Sequence, residues 1–239
     1  MLTLPWFKTR RDTKLKLNNI KQWRFAMAPF YWSVRMLFFL IYKIFYRMRV
    51  YGTEHVIDDG AIIAPNHASY FDPPFIATAW PHELTFLARE NLFNVWGLSW
   101  LIRHLNAHPV SGRPNDIGTL RLIGQLVTTG SHVVIFPEGA RTLNHTLQPL
   151  KLGVAMLAIR NGCPVIPCHI EGTYKVWPPH QRFPKPWGRL ICVFGSAINP
   201  ESFMHLDRKK GQQALTDTLE AKLHELREWY HDGAMGSPP

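Results

Sequence analysis

The sequence predicts an α/β fold: a single domain with a mixed, largely parallel central sheet flanked by helices, plus an N-terminal amphipathic helical segment. Three observations predict it. Short apolar runs alternate with stretches of helical period from residue 47 onward, the pattern of successive βα units. A chain of 239 residues that is 46% hydrophobic suits one such domain with an appendage. The positive charge is concentrated at one end: residues 1–50 hold eleven Lys or Arg and one acid, Asp12, whereas the remaining residues hold sixteen of each sign. The expected boundaries are a basic, aromatic-rich segment at 1–46, an α/β domain at 47–232 and a disordered tail at 233–239.

Within the domain, Arg47–Gly52 reads as the entering strand, Ala61–Ala64 as a strand and Pro73–Trp80 as a helix. Leu84–Ala88 predicts a strand, Leu92–Leu105 a helix and Ala107–Val110 a short strand. Asp116–Thr129 places Ile117, Leu120, Ile123, Leu126 and Val127 on one helical face, closed by Gly130. His132–Phe136 predicts a buried strand, and Pro149–Asn161 a helix opened by proline and closed by Gly162. Val165–Ile170 and Leu190–Phe194 are the last strands, and Leu215, Leu219, Leu223, Leu226 and Tyr230 form a helical stripe for core packing.

The N-terminal segment chooses among partners. Aromatic and aliphatic residues crowd Trp23–Tyr46, yet Arg35 and Lys43 interrupt them, so the longest charge-free runs are ten and seven residues. A bilayer span needs about 20, and Arg35 at its middle would cost about 2.5–3.5 kcal/mol on insertion scales. Basic flanks with aromatic side chains favour a helix lying in the interface of an anionic leaflet, with a spanning helix as the alternative. Long aliphatic runs do not suit a nucleic-acid arm, and the polar first twenty residues do not form a signal peptide. Cys163, Cys168 and Cys192 lie in apolar segments and fit neither a disulfide framework nor a zinc pattern, as expected of reduced thiols in a cytosol-facing protein. His104 and His108 have no third ligand and Pro109 follows, so no metal is expected.

Chemistry centres on Asn66-His67-Ala68-Ser69-Tyr70-Phe71-Asp72. An imidazole can take a proton from a hydroxyl and return it to a leaving group, and a nearby carboxylate can fix its tautomer. Residues five apart lie roughly 140° apart around a helix, so His67 and Asp72 can meet only across a turn. Asp72 before Pro73 also reads as a plain helix cap. Ser69 lacks the nucleophile-elbow context G-x-S-x-G. A second segment, Phe136-Pro137-Glu138-Gly139-Ala140-Arg141-Thr142, follows a strand and suits a binding loop at the carboxyl edge of a parallel sheet.

In this order, about 70 residues apart, NHASYFD and FPEGAR resemble the first and third motifs of the glycerolipid acyltransferases related to 1-acylglycerol-3-phosphate acyltransferase. Arg89 before Glu90 resembles a basic position of that family, usually lysine. Arg113 resembles its second-motif arginine, Lys151-Leu152-Gly153 its lysine-glycine step, and Val165-Ile166-Pro167 its proline-bearing fourth motif. The resemblance covers roughly residues 47–200 and departs at Ala140, where the family usually has threonine; Thr142 is the substitute if the turn permits. It implies a membrane-associated enzyme on the cytoplasmic face that acylates the sn-2 hydroxyl of lysophosphatidate to phosphatidate. The donor would be acyl-CoA or acyl carrier protein, with no cofactor. Another lysolipid or glycerol-3-phosphate as acceptor is the alternative, as is a non-catalytic membrane-binding relative. It implies His67 as base, Asp72 as its support, Arg89, Arg113 and Arg141 as phosphate ligands, Glu138 and Gly139 as organisers of the acceptor site, and Lys151 as a further substrate-binding residue.

Overall fold

A computed structural model describes residues 29–111, 117–144 and 146–239. Seven strands form one sheet: β1 (Arg49–Tyr51), β2 (Ile62–Pro65), β3 (Leu84–Arg89), β4 (Ala107–Val110), β5 (His132–Val134), β6 (Val165–Glu171) and β7 (Ile191–Phe194). Their order is β1-β7-β6-β2-β5-β3-β4. Strands β6, β2, β5, β3 and β4 are mutually parallel, and β7 turns antiparallel to β6 while carrying β1 on its far edge. The sheet is therefore mixed and largely parallel. Its central strands β2 and β6 are buried along their whole length, which is why they read as continuous apolar runs.

Successive residues of a strand face opposite ways, and each face has its own helical layer. Helices α1 (29–46) and α2 (Asp72–Ala79) put Tyr42, Tyr46, Phe75 and Ile76 against Ile63, Ile166 and Phe194. Helix α3 (Leu98–His104) lies beside β4. On the other face α4 (Ile117–Thr128), α5 (Gly153–Asn161) and α7 (Arg208–His231) put Ile123, Val154, Leu215, Leu219 and Leu223 against Ile62, Ala64, Val133 and Val165. The short α6 (Thr173–Val176) follows β6.

Several boundaries differ from expectation for local reasons. The helix expected over Leu92–Leu105 is split into a 3₁₀ turn at Glu90–Asn94 and α3, because Gly97 adopts φ +78 between them. Helix α5 begins at Gly153 instead of Pro149; the residues ahead of it are laid against the 136–142 loop, with Gln148 N–H on Glu138 Oε2 and Lys151 N–H on the Pro137 carbonyl, both at 2.9 Å. Strand β5 stops at Val134, and the chain turns so that Gly139 N–H reaches Phe136 O at 3.0 Å. The tail expected to be disordered is tied down: Ser196 N–H donates to Pro239 O at 3.0 Å, and His55 Nε2 lies 3.0 Å from Pro238 O. Gly/Ser/Pro composition signals disorder only when the tail's carbonyls find no donors, and here the end of β7 supplies one.

Helix α1 is two-sided. Arg35, the charge that interrupts the apolar stretch, turns inward and donates to the carbonyls of Ala77 (3.0 Å), Thr78 (3.2 Å) and Trp80 (2.9 Å). These are orphan acceptors at the negative end of α2, so a guanidinium belongs there. Around the rest of its surface the helix exposes Trp32, Met36, Leu37, Phe39, Leu40, Ile44 and Phe45. Among the described residues no helix is long and apolar enough to cross a membrane. Residues 1–28 of the basic segment lie outside the described residues.

Two buried histidines make stability depend on pH. His132 bonds Ile57 O through Nε2 at 2.9 Å, and His169 lies beside Glu171; burial, the largest cause in both, pushes each below the ordinary imidazole value. The unfolded chain then binds more protons than the native one below about pH 6.5, so stability falls as pH falls through that value. We expect the melting temperature to drop steadily from pH 7 to 5, with a shallower slope in His132→Gln. An unchanged slope in that variant would exclude His132 as a source.

Candidate active site

The first motif begins where β2 leaves the sheet. The Asn66 carboxamide continues the ladder in place of backbone, donating to Ile170 O at 3.0 Å and accepting from Ile170 N–H at 2.7 Å. The chain then folds back, and His67 Nδ1 meets Asp72 Oδ2 at 2.8 Å. The same oxygen accepts from the N–H groups of Ala68 (2.6 Å) and Ser69 (2.7 Å). Asp72 is wholly buried and the His67 side chain is 16% exposed. A carboxylate only accepts, so Nδ1 donates its hydrogen to Asp72, the tautomer whose neutral ring carries its lone pair on Nε2. Asp72 makes no capping bond to α2; it is the first helical residue, with its carboxylate directed back into the loop. The helix dipole at that end favours its negative charge.

The third motif completes the frame. The Phe136 ring stacks on His67 with centroids 3.9 Å apart and planes 22° apart. Glu138 is buried and bridges two segments: Oε1 accepts from His67 N–H at 2.6 Å and Oε2 from Gln148 N–H at 2.9 Å. Burial pushes its carboxyl above the usual range, with both N–H donors opposing. Thr142 N–H donates to His67 O at 2.9 Å. Both backbone polar groups of His67 are thus held by the 136–142 loop, and the two motifs form one scaffold. Glu138 organises the site through the backbone, a role more specific than the sequence indicates.

Gly139 is required by its φ of +72; the flexible end of the Lys151 side chain covers it, with Nζ 2.6 Å from where a Cβ would stand. The Lys151 side chain thus lies over the loop at Gly139. Arg141 lays its guanidinium on the Tyr70 ring, 3.6 Å from the centroid, and its Nη1 is buried with no hydrogen-bond partner among the described residues. Arg89 is exposed at the carboxyl end of β3, two strands from β2. Arg113 lies outside the described residues. Thr142 does not replace the hydroxyl missing at Ala140, because its Oγ1 donates to Asn144 Oδ1 at 2.8 Å within the loop. Ser69 is buried with Oγ donating to Trp177 O at 2.6 Å, the environment of a structural hydroxyl and not of a nucleophile.

A crevice opens here for a topological reason. After β2 the chain passes to α2 on one face, and after the adjacent β5 it passes to α5 on the other. The connections diverge at the carboxyl ends of these strands, where α/β sheets bind ligands. An open depression of ≈ 540 Å³ beside the loop is lined by Glu138, Ala140, Arg141, Thr142, Leu143 and Gln148, a size suited to a small organic ligand. Sequence reasoning missed Asn66, Phe136 and Tyr70 as parts of the site. All three lie inside the quoted motifs, but their partners are distant in the chain.

The chain is similar in sequence and in fold to known proteins. It is 25% identical over 181 residues to the 1-acyl-sn-glycerol-3-phosphate acyltransferase of Bacillus subtilis, covering 75% of this chain and 87% of that protein. With the enzyme of the same name from Streptococcus pneumoniae it shares 24% identity over 227 residues, 91% of this chain and 82% of that protein. The crystal structure of the 1-acyl-sn-glycerophosphate (LPA) acyltransferase PlsC from Thermotoga maritima superposes with a TM-score of 0.68 at 22% identity, covering 87% of this chain and 83% of that one, so the fold is shared. The profile of the family described as Acyltransferase matches residues 47–171, just over half of the chain, and those residues include both motifs. This protein belongs to the acyltransferase family.

Proposed function

We propose that this enzyme transfers a fatty acyl group from an acyl thioester to the sn-2 hydroxyl of 1-acylglycerol-3-phosphate, giving phosphatidate. The observation that carries this reading is the 2.8 Å His67–Asp72 contact on the same scaffold as Arg141, a cation that lines the open depression and whose Nη1 has no hydrogen-bond partner among the described residues. A base and an anion ligand at fixed separation suit an acceptor that bears both a hydroxyl and a phosphate. The relatives' names carry the same substrate.

In this mechanism His67 Nε2 takes the hydroxyl proton as the oxygen attacks the thioester carbonyl. The tetrahedral intermediate collapses with cleavage of the C–S bond, and the imidazolium, supported by Asp72, protonates the departing thiolate. No acyl-enzyme is needed. Arg141, with Arg89 and Arg113, holds the acceptor phosphate.

The enzyme acts at a leaflet surface. The apolar face of α1 is continued by exposed Trp187, which packs on Phe45 at 5.3 Å, and by exposed Trp100, which packs on Phe30 at the start of α1 at 5.2 Å. Aromatic groups beside basic ones are the composition of an interfacial face. The buried free thiols of Cys163, Cys168 and Cys192 support a cytosolic orientation.

One vesicle experiment tests both parts. Purified protein on anionic vesicles containing lysophosphatidate is expected to form phosphatidate and release thiol with acyl-CoA, acyl carrier protein thioester or both, and Leu40→Glu is expected to weaken sedimentation with the vesicles. Absence of product with either donor would refute the chemistry, and full retention of the variant on vesicles would refute α1 as the docking face.

A further inference from the structure

The first motif carries a residue that the proposed reaction has not used. Tyr70 lies between His67 and Asp72 and is 45% exposed, an unusual place for a large aromatic unless its ring has a partner. Its partner is Arg141, whose guanidinium carbon lies 3.6 Å from the ring centroid. The ring is itself backed by Trp177 at 5.2 Å, and Trp177 is fastened to the motif through the bond from Ser69 Oγ to its carbonyl at 2.6 Å. Trp177 also meets Phe71 edge-on at 5.0 Å.

We propose that Tyr70 is a positioning residue whose ring face holds the Arg141 guanidinium for the acceptor phosphate, leaving the N–H edge free for the ligand. A carboxylate partner would hold an arginine more firmly, but it would occupy the bidentate N–H fork and cancel the charge that a phosphate needs. An aromatic face attracts the cation through its quadrupole and engages none of the in-plane donors. Nη1 of Arg141 has no hydrogen-bond partner among the described residues, as this arrangement leaves it, and Arg141 lines the open depression beside the loop. The geometry also sets distance: Tyr70 is built into the loop that carries the base, and Arg141 precedes Thr142, whose N–H is bonded to His67 O at 2.9 Å. Phosphate ligand and base are thereby locked together, and a misplaced acceptor would present its hydroxyl off-line.

This inference rests on the proposed phosphate-bearing acceptor, and the test separates the two. The KM for lysophosphatidate is expected to rise about ten-fold in Tyr70→Leu. The KM for the thioester should stay unchanged, kcat should change less, and Tyr70→Phe should behave as wild type. Lysophosphatidate binding without thioester should weaken by a similar factor in Tyr70→Leu. An unaltered acceptor KM and affinity in Tyr70→Leu would overturn the proposal. So would an equal defect in Tyr70→Phe, which would assign the work to the hydroxyl. A wild-type protein that binds lysophosphatidate without acylating it would sink the reaction, while the binding series would still judge Tyr70.

Discussion

Replacing His67 by alanine is expected to lower acyl transfer by about 10²–10⁴-fold, the usual contribution of a positioned general base. The folded state should survive. The imidazole makes one side-chain bond, to Asp72, whereas the local backbone is held independently: His67 N–H by Glu138, His67 O by Thr142, and Ala68 and Ser69 N–H by Asp72. The loss should therefore appear in kcat, with circular dichroism, melting temperature and vesicle binding close to wild type. Turnover near the wild-type level in His67→Ala would remove the imidazole from the reaction and, with it, the proposed mechanism.

Asp72→Asn is the second large effect, and the hydrogen-bond pattern gives it a particular form. All three N–H donors land on one carboxylate oxygen, while Oδ1 is buried with no partner among the described residues. An asparagine can place its single carbonyl oxygen at the Oδ2 position and keep all three bonds. The ring tautomer is then preserved and only the negative charge supporting the imidazolium is lost. A charged hydrogen bond contributes about 1.5–3 kcal/mol, so the expected fall in kcat/KM is about 10- to 100-fold, smaller than where the amide reverses the tautomer. The displaced NH₂ would sit buried without an acceptor, which adds a modest stability cost. Asp72→Ala, by contrast, strands two backbone donors and should also loosen the loop. Measuring kcat/KM and melting temperature for both variants distinguishes these roles. An Asp72→Asn protein that is fully active would show that the charge is dispensable, and one that is unfolded would assign Asp72 to structure alone.

Much of the architecture is local and was readable in the chain. The buried runs Ile62–Ala64 and Val165–Ile170 specify strands through their shortness and unbroken apolar character, and the stripe Leu215–Leu226 specifies its helix through its period. Reading failed where backbone bonds to distant residues competed with propensity. Gln148 and Lys151 bonded the 136–142 loop ahead of α5, and the Pro239 carbonyl found a donor at the end of β7. The break at Gly97 was locally legible and was overridden by the apolar pattern on either side of it.

By itself the sequence determined the alternation of strands and helices, the concentration of positive charge at the N-terminus, and which residue types sit in the two motifs. These follow from side-chain periodicity and composition, properties of neighbours along the chain. Only the tertiary structure decided that Asp72 serves the imidazole in preference to its helix, that Arg35 turns inward to close α2, and that Glu138, Tyr70 and Arg141 meet the first motif. Each of these depends on groups brought together across up to about a hundred residues by the sheet order, and hydrogen-bond geometry, not sequence spacing, selects which donor meets which acceptor.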